Sequence, residues 1–350
     1  MKAIPAAPAD LVAQPGASER PPLWARLRSA AAAFWLAAFF YAAEHAPRLV
    51  SIARRPFCRG VYLSSPWIRR GTLANARRIL GAGASPQDVT DLARRTLSSF
   101  YLFCCDVGRS FGMTRSDLLA QIETAHGHPN YLAAREGGKG VIVVTAHMGS
   151  FEVGMAALRD VERNGIHVVF RRDRFERFER QRSALRNRLG VHEAPVDEGW
   201  TVWVRLRDAL LRDDVVVLQG DRVMPGQRGE GVPFLGGTLL LPSGPVKLAL
   251  ATGAPILPIF SVRTPEGKVK LFIEPAIEAG DRATDGAPHP ALLRWAALLE
   301  RYVTTYPDQW LLLQPALVED ASEEGNGPRP PSPLNPQRAK DGAHEPATTE

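Results

Sequence analysis

The stretch 145–152 reads T-A-H-M-G-S-F-E and places His147 five residues before a carboxylate, Glu152. A carboxylate that accepts the proton of one imidazole nitrogen leaves the other nitrogen basic. We therefore expect His147 to act as a general base, with Glu152 as its orienting partner. Ser150 is nearby, but no Ser–His–Asp order is present. The pair thus lacks a nucleophile of its own and suits a reaction in which the substrate supplies the hydroxyl.

The same spacing recurs at His192 and Asp197, so the spacing alone identifies no site. The surroundings distinguish the two histidines. His147 follows V-I-V-V-T-A, an apolar, β-branched run after glycines that predicts a buried strand. His192 lies in a proline-containing connection, for which we expect a structural or surface role.

Two further predicted strands end in charged residues. Arg171 and Arg172 follow I-H-V-V-F, and Asp221 and Arg222 follow V-V-V-L-Q-G. Ligands of open α/β sheets bind beyond the carboxyl ends of the strands. Arginines near a histidine base predict binding of an anionic substrate or an oxyanion. A structural ion pair between Asp221 and one of the arginines is the alternative.

The elements that must position these residues alternate along the chain. Apolar runs predict strands over 141–146, 166–170, 214–219, 255–262 and 268–274. Helical patterns cover 72–80, 86–107, 151–164, 174–189, 201–212, 241–252 and 290–305, and in part 115–135. This order predicts an α/β fold whose central sheet is mixed or mostly parallel and is flanked by helices.

Composition divides the chain into four predicted regions: a disordered leader (1–22), a helical membrane-associated region (23–110), an α/β domain (111–318) and a disordered tail (319–350). The leader and tail are poor in large apolar side chains and cannot offset the entropy of ordering. Without the tail, the chain has 40 basic and 30 acidic residues. Arginines concentrate in 19–79 and 171–188, and such surfaces suit phosphate-bearing partners, either anionic lipid or nucleic acid.

Residues 30–43 form an apolar, aromatic-rich segment with arginines on both sides. Fourteen residues are fewer than the roughly 20 that a membrane-spanning helix needs. The late start and the following E-H-A-P-R argue against a signal peptide. We expect a helix in the membrane interface, with a buried core helix as the alternative.

Several classes of site lack support in the sequence. Three cysteines without C-x-x-C spacing argue against a disulfide framework and a zinc site. The sequence has no G-x-S-x-G elbow, no phosphate-binding P-loop, no dinucleotide fingerprint opening a helix and no H-E-x-x-H. No nucleic-acid module accompanies the arginines, so nucleic acid is the least favoured partner.

In combination, several motifs resemble the lysophospholipid acyltransferase-like superfamily, in particular its late lipid A (lauroyl/myristoyl) acyltransferase branch. The motifs are G-K-G-V-I-V-V-T-A-H-M-G-S-F-E (138–152), F-R-R (170–172), G-D-R (220–222), the stretch 231–260 and T-Y-P-D-Q-W (305–310). Asn75 matches a recurrent asparagine of that family. The resemblance covers roughly residues 23–315.

The resemblance implies a glycerol-phosphate acyltransferase-like fold with its N-terminal hydrophobic helix on the cytoplasmic face of the inner membrane. It implies acyl transfer from an acyl carrier protein or coenzyme A thioester to a hydroxyl of a lipid or glycolipid, such as a lipid A precursor. His147 and Glu152 would be catalytic, and Arg171, Arg172, Asp221 and Arg222 would bind substrate. No metal, bound cofactor or acyl-enzyme is expected.

Two other readings of the same fold stay open. One is a catalytically inactive membrane-binding protein, which would not need His147 and Glu152 together. The other is an acyl-thioester hydrolase with water as acceptor. The acceptor also stays open, because Arg172 stands where lipid A enzymes often have proline and G-D-R replaces their D-x-D block.

Overall fold

The computed structural model describes residues 23–172, 176–223, 227, 229–280 and 287–322. It shows the predicted α/β fold, a mostly parallel sheet flanked by helices. The predicted leader (1–22) and residues 323–350 of the predicted tail lie outside the described residues.

Four long helices open the described part of the chain, before the short helix that leads into the sheet. They are α1 (Leu23–His45), α2 (Pro47–Ser64), α3 (Pro66–Leu80) and α4 (Pro86–Ser110). Helix α4 begins at Ser85, whose hydroxyl accepts a hydrogen bond from the Asp88 amide at 3.1 Å, as a helix N-cap should. The other three helices pack against α4 around the buried Leu92, Ala93 and Tyr101. These helices form a small core separate from the sheet.

Seven strands form the main sheet in the order β1-β9-β8-β2-β5-β3-β4. The strands are β1 (Ile122–His126), β2 (Val141–Thr145), β3 (Ile166–Phe170), β4 (His192–Pro195), β5 (Val215–Gln219), β8 (Ile256–Arg263) and β9 (Val269–Ile273). Strands β8, β2, β5, β3 and β4 run parallel; β9 is antiparallel to β8. Strand β2 lies near the middle of the sheet and is buried along its whole length, which explains its continuous β-branched sequence.

Helices cover the sheet, and a hairpin lies beside it. The helices are α5 (Arg115–Leu119), α6 (His128–Arg135), α7 (Phe151–Val161), α8 (Glu176–Arg188), α9 (Trp200–Leu211), α10 (Gly244–Thr252), α11 (Pro290–Thr305) and α12 (Val318–Ser322). The hairpin consists of β6 (Gly229–Phe234) and β7 (Gly237–Pro242).

The five predicted strands are confirmed, but two edge strands were missed. The prediction that 115–135 is helical in part is confirmed by the short helices α5 and α6, and the missed strand β1 lies between them. Strand β4 begins at His192, in the stretch for which the sequence predicts a proline-containing connection. Both strands lie at an edge of the sheet, where one neighbour is enough and a terminal proline such as Pro195 is tolerated. Their sequences therefore carry little strand signal.

The predicted tail begins at residue 319, but its first residues belong to helix α12. Asp320 in α12 forms a bidentate ion pair with Arg78 of α3, with N–O distances of 2.7 and 3.0 Å. The start of the tail is thus fixed by a side chain that the composition argument did not consider.

Helix α1 is longer than the apolar segment that predicts it. It spans 23 residues, yet among the described helices none combines the length and apolar character needed to cross a bilayer.

Candidate active site

His147 and Asp221 meet at the carboxyl edge of the sheet. His147 follows β2 and Asp221 follows β5, and these strands pair in parallel up to Thr145 and Gln219. Residues that follow neighbouring parallel strands lie at the same sheet edge. The Nδ1 atom of His147 lies 2.7 Å from Oδ1 of Asp221, and the His147 amide donates to Oδ2 at 3.1 Å.

The Asp221 carboxylate is fully buried but well satisfied. Besides its contacts with His147, it accepts a hydrogen bond from Nε1 of Trp310 at 2.9 Å. Burial alone would raise the pKa of Asp221. The charge and hydrogen bond of His147, with further contributions from Arg222 and Trp310, outweigh burial and hold this pKa well below its usual value. Asp221 is therefore ionised at neutral pH.

An ionised Asp221 fixes the tautomer of the imidazole. A carboxylate only accepts hydrogen bonds, so Nδ1 of His147 carries the proton. The Nε2 atom is then the unprotonated, basic nitrogen, and its lone pair accepts a hydrogen bond from the Arg222 guanidinium at 3.2 Å. Arg222 thus stands directly beside the basic nitrogen.

The structure gives the orienting position to Asp221, whereas the sequence analysis gave it to Glu152. Glu152 lies in the first turn of α7, and its Oε2 has no hydrogen-bond partner among the described residues. Burial is the main cause that raises the pKa of this carboxyl, and Arg182 only partly opposes it. The spacing along the chain predicts Glu152 as the partner of His147, but Nδ1 contacts Asp221, which follows the neighbouring strand β5.

Close packing against β8 places the turn after β2. Gly149 has φ +56°, and a Cβ there would overlap the backbone of Ser261. The Ser261 hydroxyl accepts from the Ser150 amide and donates to its carbonyl, both at 3.1 Å. The turn that carries His147 therefore has little freedom to move.

Residues 306–317, between α11 and α12, form what we call the C-terminal segment, which crosses the site and is anchored by Asn75. The Asn75 side chain donates to the carbonyls of Leu312 and Gln314 and accepts from the Ala316 amide, at 2.9–3.0 Å. Within the same segment, the Leu311 amide donates to the His147 carbonyl at 2.9 Å. Asn75 in the N-terminal helices thus supports the backbone that contacts the histidine.

Similarity to known proteins identifies the family of this chain. Residues 33–318 match the family described as bacterial lipid A biosynthesis acyltransferase. The chain belongs to this family. It is also similar to the phosphatidylinositol mannoside acyltransferase of Mycolicibacterium smegmatis, with 27% identity over 73% of this chain and 83% of the relative. The protein of that name from Mycobacterium tuberculosis H37Rv is 28% identical, over 71% of this chain and 77% of the relative.

The acyltransferase has a cavity of about 350 Å³ beside His147, which we call the histidine cavity. Its polar lining includes His147, Arg222, Arg182 and Gln219. Aromatic side chains from the N-terminal helices and α7 form another part of the wall: Trp67, Phe100, Phe103 and Phe151. The cavity therefore joins a basic nitrogen to an apolar surface.

The predicted substrate-binding residues separate into two groups. Asp221 and Arg222 contact His147, as described above. Arg171 and Arg172 are exposed and do not belong to the described lining of the histidine cavity. Arg172 instead pairs with Asp197 and Glu198 at 2.6 and 2.5 Å. Asp197, the acid of the second H-x4-acid pair, is thus engaged by Arg172.

The remaining predicted features concern His192, metal ligands and the T-Y-P-D-Q-W motif. His192 is exposed on β4 and its ring stacks on His167, with 4.8 Å between centroids. In the described ranges, no group of three or more His, Cys, Asp or Glu lies together as a metal site would require. Sequence reasoning missed Trp310 as an anchor of Asp221, although the T-Y-P-D-Q-W motif had marked that segment.

Proposed function

We propose that the acyltransferase moves a fatty acyl group from an acyl thioester to a hydroxyl of a membrane glycolipid, with His147 as general base. The observation that carries this proposal is the hydrogen-bonded pair of Asp221 and His147, whose Nε2 lies in the wall of an aromatic cavity. The pair supplies a base without a neighbouring nucleophile, which fits an acceptor that brings its own hydroxyl.

The chemical steps follow from the positions of three side chains. The Nε2 atom of His147 takes the proton of the acceptor hydroxyl while its oxygen attacks the thioester carbonyl. Arg222 stabilises the oxyanion of the tetrahedral intermediate. Asp221 stabilises the imidazolium. When the C–S bond breaks, the leaving thiolate takes the proton from His147, and the products are an ester and a free thiol.

Names of the relatives and of the family suggest the substrates. The mycobacterial relatives are named for phosphatidylinositol mannoside, and the family is described by lipid A biosynthesis. We propose a phosphate-bearing glycolipid of this kind as acceptor, and acyl carrier protein or coenzyme A as the thiol of the donor. The exposed Phe34 and Trp35 on α1 support contact with a membrane surface, which we propose is the cytoplasmic face of the inner membrane.

An acceptor-dependence assay tests this proposal. Purified enzyme is mixed with palmitoyl-coenzyme A and vesicles with or without phosphatidylinositol mannoside, while thiol release and acylated lipid are measured. We expect acylated lipid and thiol in equal amounts, and neither without the glycolipid. Thiol release without the glycolipid would instead indicate a hydrolase.

Histidine variants provide the matched comparison in the same assay. We expect His147→Ala to lose on the order of 10²–10⁴-fold in turnover, the range for removal of a general base. His192→Ala, the exposed histidine with the same spacing to an acid, should keep wild-type activity. Normal turnover in His147→Ala would contradict the proposed role.

A further inference from the structure

A second cavity of about 650 Å³ adjoins the histidine cavity, and we call it the arginine cavity. The two cavities share Phe103, Gly149 and Leu311 in their walls. Its lining comes from α2, α4, the end of β8, β9 and the C-terminal segment, and is richer in charged and hydroxyl-bearing side chains. A ligand in this cavity can therefore extend toward His147.

Arg54 of α2 lines the arginine cavity without a counter-ion. Its Nε is buried and has no hydrogen-bond partner, and no carboxylate lies within ion-pair distance of it among the described residues. Its titratable neighbours are Cys58 and Tyr101. Burial raises the pKa of Cys58, and it raises that of Tyr101 to about 12, so both are neutral at physiological pH. Among the described residues, Arg54 thus has no carboxylate paired with it, although Asp106 and Asp308 line the same cavity.

Other cations in the lining already have partners. Arg263 pairs with Asp106, which also binds Arg109. Lys270 pairs with Glu123 at 3.0 Å. These contacts leave Arg54 as the lining cation best able to bind an added anion, and the guanidinium fork matches phosphate oxygens bidentately.

Asp308 and Ser99 line the same cavity and suit a different part of a ligand. Asp308 accepts a hydrogen bond from Ser99 at 3.1 Å and keeps further acceptor capacity. A carboxylate repels phosphate but accepts hydrogen bonds from sugar hydroxyls. The lining as a whole therefore suits a ligand that carries both a phosphate and a polyol.

The position of the arginine cavity favours a lipid as the source of that phosphate. Arg54 shares α2 with Leu49, Ile52 and Phe57, which are 62%, 75% and 54% exposed. Apolar side chains this exposed, beside a basic cavity, suit contact with a bilayer surface. The headgroup of a lipid that remains in the bilayer would reach this cavity first.

We propose that the arginine cavity binds the phosphate-bearing headgroup of the acceptor lipid, with Arg54 on the phosphate. The acceptor hydroxyl then passes Gly149 and Leu311 to reach Nε2 of His147, while the acyl thioester occupies the aromatic histidine cavity. This assignment rests on the proposed function. The phosphate of the thiol carrier has the same chemistry, so the test separates the two sources.

A binding experiment without thioester tests the headgroup site. Wild-type enzyme, Arg54→Gln and Arg55→Gln are compared on phosphatidylcholine vesicles that contain phosphatidylinositol mannoside or a neutral mannosyl diacylglycerol. Arg55 is the neighbouring exposed arginine outside the described lining, so its variant removes the same charge. We expect Arg54→Gln to lose roughly tenfold in affinity for the phosphate-bearing glycolipid, and Arg55→Gln to keep its preference for it.

Steady-state kinetics supply the second arm. With Arg54→Gln, KM for the glycolipid should rise roughly tenfold and KM for palmitoyl-coenzyme A should not change. A rise in the thioester KM alone would assign Arg54 to the carrier phosphate and overturn the proposal, as would equal losses of binding in the two variants. Because binding needs no turnover, selective binding without any acyl transfer would contradict the proposed function and not the phosphate site.

A second variant guards against a folding defect. Arg54→Lys keeps the charge but loses the bidentate fork, so its affinity should lie between those of wild type and Arg54→Gln. Wild-type affinity in a stable Arg54→Gln would also overturn the proposal.

Discussion

At the residue scale, the pKa values of the two buried carboxyl groups at the site are shifted in opposite directions. Asp221 is held by His147 and Trp310, and its pKa is lowered, whereas Glu152 is buried with one unpaired oxygen and its pKa is raised. A first-turn carboxylate close in sequence to a histidine was the natural candidate for its partner. The pairing of β2 with β5 instead brings a residue 74 positions away to Nδ1. A contact between residues so far apart in the sequence cannot be predicted from the spacing of neighbouring residues.

The raised pKa of Glu152 predicts a pH dependence of stability. A carboxyl whose folded-state pKa is raised stabilises the fold fully below its unfolded pKa, and this contribution is lost as pH rises. Glutamine does not titrate. The free energy of unfolding of Glu152→Gln should therefore increase relative to wild type between roughly pH 4 and pH 7. Urea denaturation across this range measures the difference.

Glu198 provides a control of opposite sign. Its pKa is lowered, chiefly by the hydrogen bond from Arg172, so its stabilising contribution is present above its unfolded pKa and is lost as pH falls. Glu198→Gln should lose stability relative to wild type as pH rises, and only slightly because the pair is exposed. If the difference in unfolding free energy between Glu152→Gln and wild type does not change with pH, this would contradict the inferred burial of a protonatable group.

At the element scale, the sequence predicted the elements that carry strong periodic signals. The central strands were readable because both faces of β2 and β5 are buried, which requires continuous apolar sequence. The edge strands β1 and β4 and the hairpin of β6 and β7 were missed, since a one-sided or isolated strand needs no such run. The path of the C-terminal segment was not predictable either, because it depends on side-chain contacts with α3.

Asn75 makes that path testable. Asn75→Ala removes three hydrogen bonds to the C-terminal segment and leaves buried backbone groups without partners. We expect the free energy of unfolding to fall by about 2–3 kcal/mol, measured by urea denaturation. Asn187→Ala, at an exposed position on α8, should stay within about 0.5 kcal/mol of wild type. Equal stability of the two variants would show that Asn75 does not anchor the segment.

At the scale of the whole molecule, the N-terminal helices and the sheet contribute different parts of one site. The helices supply the aromatic wall of the histidine cavity and Arg54, and the strand ends supply His147, Asp221 and Arg222. We propose that the exposed aromatic side chains on α1 face a bilayer. Composition predicts an arginine-rich apolar region followed by an α/β region.

If α1 contacts the membrane as proposed, substituting its exposed aromatic residues should weaken binding to vesicles. Trp35 and Trp200 are 69% and 75% exposed, on α1 and α9 respectively. Trp35→Ser should lower affinity for phosphatidylglycerol vesicles by roughly 10- to 150-fold, because burying one large apolar side chain contributes about 1.5–3 kcal/mol. Trp200→Ser should bind as wild type does. Cosedimentation measures both, and equal losses would argue against α1 as the contact.

In the proposed mechanism, His147 acts as a base that Asp221 holds in place. The most direct test compares turnover of Asp221→Asn and Glu152→Gln in acyl transfer from palmitoyl-coenzyme A to phosphatidylinositol mannoside at neutral pH. Asparagine keeps the shape but removes the charge that fixes the tautomer. We predict a loss on the order of 10²–10⁴-fold for Asp221→Asn, similar to that of His147→Ala, and a much smaller loss for Glu152→Gln. Wild-type turnover in Asp221→Asn, together with an inactive but folded Glu152→Gln, would contradict the account.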